Sequence, residues 1–319
     1  MGPVVLLVLS VLSWVGAETF RPTDLTVVGI LSQEYVFSPG LAHDYQGHKS
    51  YIAASYVKAV EASGAMVVPV FIGQTQEYYE NIMNHINGLI IPGGAAYFNY
   101  TNGYKDAGKN LIHIAQKMNS RGDYFPILGI CLGFELFMFV ENKEKELRTD
   151  CNCFHENLSL RFLKNGSKTG LYKTFPKKSL KALAKNNITY NYHIWCITRA
   201  TMNSTKLSDA WDILTESKAG NGKKFVSTVQ SKKYPFVGIQ FHPEKNSYEW
   251  NTVAHVNHSR IAIETSRLFY DWIVTEATKN KHAYPSHADL YKEVIYNYAP
   301  TMSYPLNNKT SFEQIYFFD

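Results

Sequence analysis

Cysteine is scarce, with four residues in a chain of 319. That excludes a small domain held together by disulfides. Charge of one sign is lacking too: 32 Lys+Arg stand against 27 Asp+Glu, a formal +5 spread along the chain. No block of it marks a nucleic-acid surface. No internal repeat and no low-complexity linker is present. Beyond the first residues no run is long and apolar enough to span a membrane, so stable membrane association is not expected. What the chain does have is core material. Hydrophobic residues make up 45%, with 22 Tyr, 18 Phe and 5 Trp, which excludes wholesale disorder.

Met1 to Ala17 carries no charged side chain, and Val4 to Leu12 is apolar except for Ser10. Val15-Gly16-Ala17 puts small residues at a cleavage position, so residues 1–17 read as a secretory signal. The expected mature chain, 18–319, is one domain with a less regular tail from about Lys279. Asn-x-Ser/Thr sequons at Asn99, Asn157, Asn165, Asn187, Asn203, Asn257 and Asn308 support that route, and each marks an expected exposed position. Among the cysteines, Cys151 and Cys153 are too close to pair easily. With Cys131 reserved for chemistry, at most one bridge remains among Cys151, Cys153 and Cys196.

The first half alternates strand and helix signals. Short apolar strands are expected at Thr26–Leu31, Val67–Phe71, Leu89–Ile91 and Ile127–Ile130. Helices are expected at Ser50–Ser63, Gln76–Ile86 and Asp106–Arg121. Strands buried on both faces between helices imply a doubly wound α/β fold around a mainly parallel sheet. After about Glu141, segments such as Leu158–Leu163, Ile188–Tyr192, Lys224–Gln230 and Phe236–Phe241 read as strands, several with period-two alternation, and inserted antiparallel strands are expected in this half. Ser259–Thr278 returns to helix.

Gly129-Ile130-Cys131-Leu132-Gly133 ends the fourth strand, and Phe134–Phe139 continues as helix. This is a nucleophile elbow: the flanking glycines allow the crowded turn that puts the side chain in the open. Cys131 then sits at a helix N-terminus, where the dipole favours thiolate. The Leu132 amide faces the same pocket. Pro92-Gly93-Gly94 closes the neighbouring strand, and the Gly93 and Gly94 amides complete an oxyanion hole with it. His242-Pro243-Glu244 follows Phe236–Phe241. Pro243 keeps His242 extended, so His242 and Glu244 face one side, and the carboxylate orients the ring. Cys131, His242 and Glu244 therefore read as nucleophile, general base and acid, and orienting group.

Together the Pro-Gly-Gly strand end, the elbow and His-Pro-Glu resemble the class I glutamine amidotransferase fold. The likeness extends to the γ-glutamyl hydrolase family. It is carried by Gly-Ile-Cys-Leu-Gly-Phe-Glu at 129–135, by Tyr51-Ile52-Ala53-Ala54-Ser55-Tyr56-Val57-Lys58, by Asn191-Tyr192-His193-Ile194-Trp195, by 238–245 and by Tyr248-Glu249-Trp250. The resemblance implies cleavage of γ-glutamyl bonds in folate and antifolate polyglutamates, in lysosomes or after secretion. It implies His193 and Glu135 as substrate contacts, no cofactor, and a homodimer. Two other functions stay open: an amidotransferase-type glutaminase, and a secreted γ-glutamyl-binding protein with a vestigial site. Phe134-Glu135, where amidotransferases commonly have His-Gln, and the secretory signal argue against the first. The pairs His255/His258 and His282/His287 lack the Cys or carboxylate partners of a metal site and read as solvated surface histidines. No metal is expected.

Overall fold

The computed structural model describes residues 21–34, 47–252, 254–303, 310 and 312–319. The secretory segment 1–17 and the sequon at Asn308 lie outside the described residues.

The first half folds as β1 (Val27–Leu31), β2 (Ser50–Ala53), α1 (Ala54–Ala62), β3 (Met66–Val70), α2 (Gln76–Met83), β4 (Gly88–Ile91), α3 (Tyr104–Ser120), β5 (Ile127–Ile130) and α4 (Leu132–Glu141). The second half adds β6 (Thr149–Leu158), β7 (Arg161–Phe162), α5 (Lys177–Lys185), β8 (Thr189–Cys196), α6 (Arg199–Ser204), α7 (Leu207–Ala210), β9 (Trp211–Lys218), β10 (Lys224–Ser231) and β11 (Phe236–Ile239). The chain continues through α8 (Lys245–Tyr248), α9 (Arg260–Ala277), α10 (His287–Glu293), β12 (Thr301–Met302) and β13 (Gln314–Phe318).

Eight strands form one sheet in the order β3-β1-β4-β5-β11-β10-β9-β7. From β3 to β11 the neighbours are parallel; β10, β9 and β7 extend the sheet antiparallel. Alternation along β1 explains its burial on both sides. Val27 and Leu31 join a core with α2, α3 and α4, whereas Val28 and Ile30 join a second core with α1, α5 and α9. This is the doubly wound α/β arrangement with antiparallel strands from the second half.

Three expectations need correction. The first residues of the expected 50–63 helix form β2, which pairs antiparallel with β13. The expected strand 158–163 splits into the end of β6 and the short β7. His282 and His258 are packed: His282 contacts the Met83 carbonyl at 2.7 Å and Asp123 at 2.9 Å, and His258 stacks on Trp250 with 3.9 Å between centroids.

A two-stranded ribbon of β6 and β8 stands outside the main sheet. It is stapled by a disulfide between Cys151 and Cys196, and Cys153 is a free buried thiol beside it. Asn99, Asn165, Asn187 and Asn203 are exposed, as their sequons require. Asn157 and Asn257 are half-buried, and their amides donate to backbone carbonyls of His255 and Asn187.

Candidate active site

The carboxyl ends of three adjacent parallel strands converge. β5 supplies the elbow, β4 the Pro92-Gly93-Gly94 turn, and β11 the run Gln240–Glu244. Cys131 has φ 51° and ψ −105°, in the left-handed region that costs a non-glycine residue energy. Both flanking glycines are required. A Cβ on Gly133 runs into the Ile91 carbonyl, and one on Gly129 meets the Gly133 backbone at 2.8 Å. The Cys131 amide is tied to the Ile239 carbonyl at 2.7 Å, which pins the elbow to β11.

His242 Nδ1 lies 2.8 Å from Glu244 Oε1, and Tyr270 donates to the other carboxylate oxygen at 3.4 Å. All three side chains are buried. Gly93 sits between base and nucleophile: a Cβ there lies 2.5 Å from His242 Cε1 and 3.0 Å from Cys131 Cβ. The three residues expected from the motifs are thus brought together.

Electrostatics departs from the sequence expectation. Burial pushes the Cys131 thiol well above its ordinary value, and the Glu135 and Glu244 carboxylates push it further. The Leu132 and Gln240 amides oppose this and lose. One helix N-terminus does not offset complete burial beside two carboxylates. Burial and the two carboxylates favour the neutral thiol as the resting form.

The oxyanion-hole expectation is also refined. The Gly93 amide donates to Tyr56 Oη at 3.0 Å, and that hydroxyl lies 3.3 Å from His242 Nδ1. Gly94 packs against Gln33, whose amide donates to the Gly93 carbonyl at 2.8 Å. Tyr56 and Gln33 carry no local signal of this role.

Glu135 acts on the thiol, and His193 lies within electrostatic reach of His242. Glu135, buried in the first turn of α4, accepts from Gln240 at 3.0 Å and from Arg148 at 3.2 Å. Burial raises its carboxyl to about 7, against the pull of Arg148 and Gln240. Gln240 Nε2 also reaches to 3.8 Å from Cys131 Sγ. Gln240 follows the last residue of β11 and stands two residues before His242. His193 is buried on the inner face of β8. Its Nδ1 pairs with the Trp195 carbonyl at 2.8 Å, and its ring stands edge-on to Phe225. Burial drives its pKa down to about 3, so the ring is neutral. His193 Nε2 and Gln240 Oε1 are buried and lack a hydrogen-bond partner among the described residues.

Residues 26–244 match the model of the Peptidase C26 family. A gamma-glutamyl hydrolase of Bos taurus is 36% identical over 274 residues, covering 85% of this chain and 84% of that protein. The gamma-glutamyl hydrolase of Homo sapiens is 35% identical over 271 residues, covering 84% and 83%. Gamma-glutamyl hydrolase 1 of Arabidopsis thaliana is 35% identical over 285 residues, covering 88% and 79%. The matched segment spans the Pro-Gly-Gly turn, the cysteine elbow and the His-Pro-Glu motif, and on that extent of likeness the chain belongs to the γ-glutamyl hydrolase family of C26 peptidases.

Proposed function

We propose that this chain hydrolyses the γ-glutamyl isopeptide bonds of pteroyl poly-γ-glutamates through a Cys131 thioester. The cysteine-type γ-glutamyl hydrolase class follows from family membership. The observation that carries the chemistry is the meeting of Cys131, His242 and Glu244 around Gly93.

The chemistry follows from the neutral thiol. His242 takes the Sγ proton as sulfur attacks the γ-carbonyl, so no standing thiolate is required. Glu244 holds the ring through Nδ1 and stabilises the imidazolium that forms. The oxyanion develops towards the Leu132 amide. Gly93 joins it once Tyr56 Oη yields that amide, or Tyr56 donates in its place. His242 protonates the departing glutamate nitrogen as the C–N bond breaks. It then takes a proton from water, which attacks the thioester and releases the γ-carboxylate and the thiol. The open valences of His193 and Gln240, with Glu135, support a substrate subsite beside the sulfur.

The same reading has a single mature domain that travels the secretory pathway to the cell exterior or lysosome. It carries glycans at exposed sequons and acts as a homodimer. Product analysis on pteroyl-pentaglutamate tests the activity: glutamate or γ-oligoglutamate release must appear with wild type and vanish with Cys131→Ala. Release by the mutant sinks the nucleophile assignment. Turnover of free glutamine in preference to γ-linked diglutamate returns the glutaminase alternative.

A further inference from the structure

Arg148 lies between α4 and β6, and its side chain is only 12% exposed. Its guanidinium meets three segments that build the site. Nη1 donates to Glu135, in the first turn of α4, at 3.2 Å. Its face lies 4.2 Å from the Phe98 ring centroid, in the loop after Gly93-Gly94. Trp195, whose carbonyl holds the His193 ring, lies 5.9 Å away. Nε and Nη2 donate to Glu146, at 2.9 and 2.7 Å. From Glu135 the path continues through Gln240 to the thiol.

Glu146 holds one edge of the guanidinium, Glu135 holds Nη1 and an aromatic ring covers one face, so the group is gripped from three sides. It is a strut. A planar fork makes these contacts simultaneously, whereas a lysine ammonium supplies a point charge. The charged and titratable groups around Glu135 are Arg148 and Glu146 from the segment before β6, Cys131 from the elbow and Tyr104 from α3. Arg148 is the cation in that set. Without it a buried carboxylate keeps a single neutral donor, Gln240.

We propose that Arg148 is a positioning residue that fixes Glu135 relative to Cys131 and keeps it able to ionise. Naming Glu135 as a substrate contact rests on the hydrolase reading above; the hold on it does not.

The test uses Arg148→Ala and Arg148→Gln in the intact chain, with two readouts. The first is kcat and KM on a pteroyl γ-diglutamate between pH 5 and 8. The second needs no substrate: titration of the 13C-labelled Glu135 carboxyl, assigned with Glu135→Gln. We expect KM to rise about tenfold with kcat within about threefold, the size of coupling found inside one hydrogen-bonded network. The Glu135 titration should move up by about one unit, because a cation at ion-pair distance is lost. Adding Arg148→Ala to Glu135→Gln should then cost less in KM than adding it to wild type. If Arg148→Ala does not fold, Arg148→Gln carries the same criteria. Folded variants with unchanged Glu135 titration and unchanged KM overturn the proposal. A wild type inert towards γ-glutamyl substrates sinks the hydrolase reading alone, since the carboxyl titration still decides the hold on Glu135.

Discussion

Gly93→Ala adds one methyl group at the point where base, nucleophile and Tyr56 meet. That methyl lies 2.5 Å from His242 Cε1 and 3.0 Å from both Cys131 Cβ and Tyr56 Oη. Carbon contacts settle at about 3.5–4.0 Å, so the imidazole must recoil by about 1 Å. It has little room to do so, because Glu244 and Tyr270 hold it from a fully buried side. A displacement of about 1 Å at the reacting groups costs roughly 10²-fold in rate. That corresponds to about 2.7 kcal/mol on the barrier. Overpacking should cost about 1–3 kcal/mol of stability besides. Gly94→Ala is the matched control: its methyl meets the amide end of Gln33, which can swing away. Its cost is the Gln33–Gly93 hydrogen bond, worth about 1 kcal/mol. We expect kcat for Gly93→Ala to fall about 100-fold and for Gly94→Ala to fall less than about tenfold, measured beside guanidinium melts of each. If Gly93→Ala stays within threefold of wild type, or Gly94→Ala is equally damaged, the crowding argument is wrong.

Glu244→Gln keeps the shape beside His242 and loses the charge that supports imidazolium. It should lower kcat by about 10²- to 10⁴-fold with little change in KM, and a smaller effect in steady-state assays would demote Glu244 to a structural role. Cys196→Ser opens a bridge between residues 45 apart, and loop entropy puts the loss at about 4 kcal/mol in denaturant melts. An equal melting midpoint, with no gain in titratable thiol, would mean the bridge does not form. Burial holds the Glu135 and Glu249 carboxyls at about 7, up from 4.5. The folded protein therefore keeps protons that the unfolded chain has released. The contribution of these groups to stability is greatest below about pH 4.5 and declines as pH rises through about 7, on the order of 3 kcal/mol per group. Urea melts of Glu135→Gln with Glu249→Gln should show a flatter pH profile than wild type; an identical slope refutes the assignment.

The parallel half of the sheet was legible because β1, β4 and β5 are short apolar runs closed by turns, a local signal. So was the triad, since the strained elbow and His-Pro-Glu are each a run of adjacent residues, although Pro243 and Glu244 turn into α8 with Glu244 helical where an extended run was expected. What escaped depends on partners far along the chain. Residues 50–53 share the helical spacing of α1, yet pairing with β13 overrides it. The tail from Lys279 shows little periodicity because α10 has seven residues and β12 two. Tyr56, Gln33 and Arg148 reach the site from other segments, and no spacing announces that. The disulfide became assignable once β6 and β8 were seen to run side by side. The thiol was misjudged because a helix end is visible in sequence and the depth of burial around it is not.

The pairing of β2 with β13 sets an order of events during synthesis. Ser50–Ala53 leads directly into α1, the helix that carries Tyr56 to the Gly93 amide. The frame around the oxyanion site is completed only when residues 314–318 arrive, so β2 has no β13 to pair with until that segment has been made.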